Sequence, residues 1–361
     1  MTVLPAASSG PAAVWSIIQG HTRYWVTNAA VRLGVFGALQ SGALTAAELA
    51  VILPAAGAQL EVLLDSLVAV GLLDRSGAAY SLTDVSAEFL VPGRERYMGE
   101  LVLHSPGRHD NWPLLAETVQ SGRPAFPVDE DVRFWRDIAA AAFTTQLAIA
   151  RRTLQLAGIG GDACALRVLD LGAGAGPWAV ALLQALPAAT AVANDLPGVA
   201  DLARDSARLH GVADRLTVQE GDFQLVSFAP ASFDVVVLAN VVRTEGEECA
   251  PRLLLRAAGW LKPGGTMLIA DYFLDEDRSS AQTALLLGAT MMANTRRGRT
   301  FTVSRHGTWL HDAGFGGVDV LEPLPGAQVL LARRDSSPIA DPASRESSPP
   351  PEEAATEGPH G

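Results

Sequence analysis

Two hydrophobic periodicities divide this chain. In residues 12–40 the apolar positions Val14, Ile17, Ile18, Trp25, Val26, Ala29, Val31, Leu33, Phe36 and Leu39 recur at helical spacing, with Gly20 and Gly34 as weak points. That pattern predicts one or two helices buried on more than one side. In L-T-A-A-E-L-A, residues 44–50, Thr45 precedes Glu48 by three positions, a capping box that opens a short helix. Residues 60–70 read as a further apolar helix ending at Gly71, and residues 72–83 as two short strands around a Ser-Gly turn. Three helices followed by a hairpin predict a mostly helical winged-helix domain over residues 1–93.

Residues 94–164 form a transition rich in aromatic and polar side chains, then a helical stretch. Aromatics at such spacing mostly fill a core. His104, Trp112, Trp135 and Phe143, with Met291 and Met292 further on, are the candidate walls of a pocket for a flat substrate. From residue 165 apolar strands alternate with amphipathic helices. Strands are expected at 167–171, 191–195, 216–219, 233–239, 266–270, 318–321 and 328–332, with helices between them, notably 198–211 and 247–261. Seven strands spaced by helices predict a doubly wound, mostly parallel α/β sheet over residues 165–335, with ligand sites at the carboxyl ends of its strands.

The chemistry gathers at those ends. V-L-D-L-G-A-G-A-G-P-W, residues 168–178, reads as a buried strand, a glycine-rich turn and a helix; Gly172, Gly174 and Gly176 let a ligand approach the main chain. The second strand ends at Asp195 and Leu196, where a carboxylate can accept from both hydroxyls of a ribose. The third ends in Gly221, Asp222 and Phe223, an acceptor for an adenine amino group beside a ring to cover the base. The fourth runs into L-A-N-V-V-R, which adds Asn240 and Arg243. A nicotinamide enzyme would want G-x-G-x-x-G, so that a pyrophosphate meets the helix N-terminus. Here the turn is G-x-G-x-G preceded by Asp170, a carboxylate suited to the cationic amino-acid end of S-adenosylmethionine.

Composition narrows the partners. The net charge is −12 and only one lysine, Lys262, is present. An acidic chain with few arginines between Thr45 and Leu72 is a poor fit to DNA phosphates, so the winged helix is expected to serve dimerisation. No apolar run approaches the roughly 20 residues that a membrane helix needs, and the first ten residues lack a signal-peptide pattern. A cytoplasmic enzyme acting on a small molecule, with no membrane or nucleic-acid partner, is the expectation. Cys164 and Cys249 have no metal-ligand spacing, so no metal site is expected. Residues 336–361 carry five acids, six prolines and one arginine, Arg345, the composition of a disordered tail.

Residues 167–333 resemble the class I S-adenosylmethionine-dependent methyltransferases. In both halves the chain is similar to the small-molecule O-methyltransferases that include hydroxyindole (acetylserotonin), plant caffeate-type and bacterial natural-product tailoring enzymes. The matching stretches are V-R-L-G-V-F-G-A-L, L-T-A-A-E-L-A and W-P-L-L-A-E-T-V-Q-S-G-R-P, then V-L-D-L-G-A-G-A-G, N-D-L-P-G-V, G-D-F, L-K-P-G-G-T-M-L-I-A-D and L-H-D-A-G-F. The resemblance implies a Rossmann-like sheet, a winged-helix dimerisation domain, a homodimer, and cofactor contacts from Asp170, Gly172, Gly174, Asp195, Leu196, Asp222 and Phe223.

The resemblance also implies a histidine base just after the fourth strand. Arg243 stands there, followed by Thr244 and Glu245, and Arg305 stands where a later acidic partner belongs, with His306 next to it. Arginine keeps its proton at any working pH and cannot act as a base. It can hold an anion that already exists, such as an acidic phenol, enolate or carboxylate. The expected reaction is therefore methyl transfer, foremost to oxygen, on a small aromatic or polyketide- or amino-acid-derived acceptor, with Arg243 and His306 as the candidate catalytic residues. C-methylation of a phenol or enol carbon, or cofactor binding without methyl transfer, stays open.

Overall fold

The computed structural model describes residues 10–104, 107–160, 165–279 and 282–336. The acidic tail beyond residue 336, Cys164 and the first nine residues lie outside these. The first domain comprises α1 (Pro11–Leu33), α2 (Val35–Ala38), β1 (Leu44–Thr45), α3 (Ala46–Ile52), α4 (Gly57–Ala69), β2 (Leu73–Ser76), β3 (Ala79–Leu82) and α5 (Asp84–Phe89). Proline at its first position starts α1, and Gly34, at φ 78°, ends it in the left-handed conformation that relieves the last carbonyls. Thr45 and Glu48 form the expected capping box, the Thr45 N–H donating to Glu48 Oε2 at 2.7 Å. The hairpin pairs with β1 as a small antiparallel sheet in the order β1-β3-β2. Phe36, Leu39, Leu49, Leu60, Leu64, Leu67 and Tyr80 close its core.

One expectation fails here. The amino-terminal half of α1 is not buried on several sides: Val14, Trp15, Ile17 and Ile18 all face solvent, Ile17 at 79% exposure. Among the described residues nothing packs on this face, whereas the other half of the helix packs on α4 and on the next segment.

That segment comprises α6 (Gly99–His104), a 3-10 turn (His109–Leu114), α7 (Leu115–Ser121) and the long α8 (Val132–Ala157). The second domain follows as β4 (Arg167–Leu171), α9 (Pro177–Ala185), β5 (Thr190–Asp195), α10 (Asp201–Leu209), β6 (Leu216–Glu220), β7 (Phe233–Ala239), α11 (Val242–Trp260), β8 (Leu261–Asp271), α12 (Gln282–Asn294), α13 (Val303–Asp312), β9 (Phe315–Leu324) and β10 (Ala327–Arg334). The sheet order is β6-β5-β4-β7-β8-β10-β9; the first five strands are parallel and β10 runs antiparallel to both neighbours. The chain order reverses at β4, between β5 and β7, where an open α/β sheet leaves a crevice for a ligand. Val168, Leu169 and Leu171 are fully buried there, as a strand covered by helices on both faces requires.

Strands one and four coincide with the sequence reading, and the others extend it, by one residue for β5 and β6, by three for β10 and by six for β8 and β9. The helix after the fourth strand departs from it. α11 begins at Val242 and is interrupted at Gly246, with φ 68° and ψ 179°, so the predicted helix from 247 is only its second part. A Cβ at Gly246 would meet the Arg297 carbonyl oxygen at 2.5 Å, a close approach that only glycine permits. Among the described residues no single helix is long and apolar enough to cross a membrane.

Candidate active site

The turn after β4 is built so that two other segments can touch it. A Cβ on Gly172, at φ 65°, would meet Val241 Cγ2 at 2.6 Å and the Phe223 ring at 3.7 Å; one on Gly174, at φ 57°, would meet the Ala139 Cβ of α8 at 3.0 Å. The turn is therefore a bare main-chain cradle, with Val241 and Phe223 on one side and α8 on the other. Asp170 lies beneath it. Only 1% exposed, it accepts from the Ala179 N–H at 3.0 Å and so caps α9. Sequence alone directs this carboxylate toward the cationic end of a cofactor; in the structure the unsatisfied amides opening α9 claim one oxygen from below.

Burial, with Asp195 adding like charge, pushes the Asp170 pKa up to about 7. The folded chain thus holds a proton that the unfolded chain releases between about pH 4 and pH 7. Stability from this group is complete at acid pH and is lost as pH rises through that window. The melting temperature of the ligand-free protein is expected to fall from pH 5 to pH 8, and Asp170→Asn to lessen the fall; the same slope in the variant would contradict this role.

The neighbouring strand ends are tied to the turn. Asp195 accepts from the Gly174 N–H at 2.6 Å and from the Leu196 N–H at 2.7 Å, and its carbonyl receives the Gly221 N–H at 2.9 Å. Asn194, buried beside it, donates to the carbonyls of Gln219 and Gly221. Asp222 accepts from the Gln224 N–H at 2.8 Å. Gly172, Asp195, Asp222 and Phe223 thus converge from three successive strands. Gly176 sits under the turn, its own Cβ position 3.1 Å from Ala203, and serves helix packing.

After β7, Asn240 adopts φ 61° and its side-chain oxygen accepts from Arg243 Nη1 at 2.5 Å. The same Nη1 donates to Asp271 Oδ1 at 2.8 Å, and Asp271 Oδ2 receives the Arg243 N–H at 3.3 Å. Arg243 is therefore held by a buried carboxylate at the end of β8, its guanidinium 6.0 Å from the Tyr272 ring centre. Its Nε–H is buried and has no partner among the described residues.

His306 is a correction to the sequence reading. It is 1% exposed, its Nδ1–H donates to the Thr302 carbonyl at 3.0 Å, and Phe273, Phe301 and Trp309 enclose the ring edge to face. Desolvation lowers its pKa. Three rings wall the imidazole, and its Nε2 has no partner among the described residues. Arg305 likewise turns outward, pairing with Glu247 at 2.5 Å and lying over Trp309.

On the far side of α8 a cleft of about 300 Å³ is lined by His104, Arg108, His109, Phe134, Asp137 and Ile138 among others. Ile138 precedes the Ala139 that touches Gly174, so cleft and turn are neighbours across one helix. Of the six pocket candidates only His104 lines it. Phe143 stacks on His210 and packs against the core between α8 and α9, because it falls on the apolar stripe of α8. Met291 is buried against Gly298, Met292 is exposed, Trp112 is half-buried on the 3-10 turn, and Trp135 donates to the Asp129 carbonyl at 3.3 Å.

An O-methyltransferase dimerisation domain matches residues 15–92, and an O-methyltransferase domain matches residues 142–316. A 2,7-dihydroxy-5-methyl-1-naphthoate 7-O-methyltransferase from Streptomyces carzinostaticus is 31% identical over 255 residues, 67% of this chain and 75% of its own. The chain belongs to the O-methyltransferase family. A 3-hydroxy-5-methyl-1-naphthoate 3-O-methyltransferase from Streptomyces sahachiroi shares 28% identity over 345 residues, 91% of this chain and 96% of that one. The structure of human N-acetylserotonin methyltransferase in complex with S-adenosylmethionine matches with a TM-score of 0.77 at 25% identity, covering 91% of this chain and 99% of that one.

The protein is an S-adenosylmethionine-dependent methyltransferase. The donor set suits that cofactor: a cradle that a Cβ would fill, a carboxylate at each of two strand ends, and an aromatic ring beside the cradle. In this methyltransferase the sequence reading passed over Glu245, Arg108 and Asp137. Glu245 sits four residues past Val241, which lines the turn, in a stretch read only for its missing histidine. Arg108 and Asp137 lie on segments whose partners are distant in sequence, and no local signal marks them.

Proposed function

We propose that this methyltransferase O-methylates a small aromatic natural-product acceptor whose hydroxyl is already acidic, with Arg243 holding the acceptor oxyanion. The observation that carries this reading is the unpartnered Arg243 Nε–H: one guanidinium nitrogen is spent on Asp271 and Asn240, and a buried donor remains. A buried donor left unmade costs about 1–3 kcal/mol, which an incoming anionic oxygen returns. The naphthoate relatives are named for hydroxylated aromatic acids. Bound S-adenosylmethionine supplies an electrophilic methyl group on a sulfonium. The chain's part is to align the acceptor with it and to stabilise the attacking anion, and an acceptor that arrives ionised needs no base.

The test is incubation with methyl-labelled S-adenosylmethionine and a panel of hydroxynaphthoates and phenols of graded acidity. Label on oxygen, with rates rising as the acceptor becomes ionised at the assay pH, is expected. Label on carbon, or cofactor binding with no acceptor methylated, would overturn the reading in favour of C-methylation or a non-methylating reaction.

The exposed α1 face supports a homodimer through the amino-terminal domain, since Trp15, Ile17 and Ile18 form an apolar stripe inside the stretch matched by the dimerisation domain. Ile17→Asp is expected to convert a dimer to a folded monomer in light scattering; an unchanged mass would move the interface elsewhere.

A further inference from the structure

The loop after β6 brings Phe223 to the glycine cradle, and the chain anchors that loop from a distant helix. Residues 222–226 fold into one short turn. The Leu225 and Val226 N–H groups donate to the Asp222 carbonyl at 2.8 and 2.9 Å, and the Gln224 N–H donates to Asp222 Oδ1 at 2.8 Å. A single turn satisfies its amides in this way and leaves its later carbonyls without main-chain partners. Arg256 of α11 takes them. Its Nη1 donates to the carbonyl of Phe223 at 3.3 Å and to that of Gln224, and its Nη2 donates to that of Val226.

The fork is itself held. Its guanidinium carbon lies 5.2 Å from the centre of the Trp260 ring, one helical turn on, and Trp260 meets Phe228 edge to face at 5.1 Å. Phe223, Val226 and Phe228 pack on the core to which Leu253, Leu254 and Ala257 of α11 contribute. The Phe223 ring lies 3.7 Å from where a Cβ on Gly172 would stand. Leu225 in the same turn is 81% exposed, so the turn has little apolar hold of its own there. Its other polar tie, the Gln224 side-chain amide donating to Glu245 Oε2 at 2.6 Å, also comes from α11.

We propose that Arg256 is a positioning residue for the cofactor: by gripping three carbonyls of the 222–226 turn it keeps the Phe223 ring at the glycine cradle, and so sets the affinity for S-adenosylmethionine. This rests on the reading that Phe223 lines the cofactor's place. Three carbonyls stripped of their donor seek water, and a turn that swings outward to reach it carries the ring away from Gly172. Lysine replaces the fork only in part, because its ammonium is a point charge while the carbonyls are spread along the turn.

The experiment is calorimetric titration of the full-length protein with S-adenosylhomocysteine, on variants whose ligand-free melting curves show them folded. Arg256→Ala is expected to bind about tenfold more weakly than wild type and Arg256→Lys about threefold more weakly, the range for residues that act on a ligand without touching it. Millimolar guanidinium chloride, against sodium chloride at the same concentration, should restore part of the affinity of Arg256→Ala and leave wild type unchanged. The effect should also run through the ring: in a Phe223→Ala background the further change Arg256→Ala should cost less than about threefold, since neighbours acting through one group are not additive. Arg256→Lys carries the same comparison if the alanine variant does not fold. Arg256→Ala with wild-type affinity, a loss restored by neither lysine nor guanidinium, or a loss that persists in full on Phe223→Ala would each overturn the proposal and leave Arg256 a contact for stability. Phe223→Ala separates the two levels. If it weakens binding while Arg256→Ala does not, the role of Arg256 fails alone; if it binds like wild type, the cofactor's place at Phe223 and the proposal fail together.

Discussion

Asp195→Ala is expected to weaken S-adenosylhomocysteine binding by about 100-fold or more, since on the proposed reading it would lose two charge-assisted hydrogen bonds to ribose hydroxyls at roughly 1.5 kcal/mol each. The carboxylate stands at the end of β5 with the Gly174 and Leu196 amides bonded to its two oxygens, which fixes its plane toward the glycine cradle. Burial raises its pKa while those two amides oppose the rise. The substitution also frees the Gly174 N–H and loosens the turn that α8 covers. Asp195→Asn keeps the shape and one acceptor, so its loss should be smaller than that of alanine. Calorimetry on both variants decides the matter. Affinity within threefold of wild type in Asp195→Ala would remove this residue from the cofactor site.

The second large effect concerns Arg243. Removing its side chain leaves Asp271, almost fully buried, facing the protein without its cation. Breaking a buried pair from one side costs about 3–5 kcal/mol, because the remaining charge has lost both water and partner. Arg243→Ala should therefore melt roughly 10 °C lower than wild type. Adding Asp271→Asn should recover much of that loss, since the neutral amide still accepts from the Tyr272 N–H that Asp271 now receives at 2.8 Å. The double variant separates stability from chemistry: it should be folded, bind S-adenosylhomocysteine and transfer methyl groups at a small fraction of the wild-type rate. A stable double variant with full turnover would leave Arg243 a purely structural cation.

The oxyanion role and the ion pair are compatible because a guanidinium has five N–H donors in a fixed fork. Asp271 orients the fork and Asn240, held at positive φ, takes a second position on it. The pair keeps a charged side chain in place without neutralising every donor. On the proposed reading Arg243 acts as a cation that keeps its proton, which would require an acceptor whose hydroxyl has already lost its own.

The chain alone determined a good deal. The strand and helix alternation after residue 165 set the fold class, because a buried parallel strand needs a short continuous apolar run and a crossover helix needs a 3.6-residue stripe, and both are local patterns. The strands at 167–171 and 233–239 fell where they were expected for that reason. The glycine turn and the acids at the ends of β5 and β6 were equally legible, since a positive φ or a residue just past a strand is fixed by a few neighbours. The winged-helix core was legible too, through the Thr45–Glu48 box and the Ser-Gly hairpin.

Tertiary structure decided what those acids and bases face. Asp170 points under its turn because α9 starts there with unpaired amides. Arg243 meets Asp271, 28 residues away, because β7 and β8 are neighbours in the sheet, and no spacing in the chain announces that pairing. His306 is sealed by three rings contributed from three segments, and Phe143 belongs to the α8–α9 interface rather than to a pocket. Glu245 lies among charges from distant segments, Asp222 after β6 and Arg297, whose backbone the bare Gly246 lets approach. Sequence determined the elements, whose causes lie within a few residues; the fold alone determined protonation and reach, which depend on charges and walls brought from far along the chain.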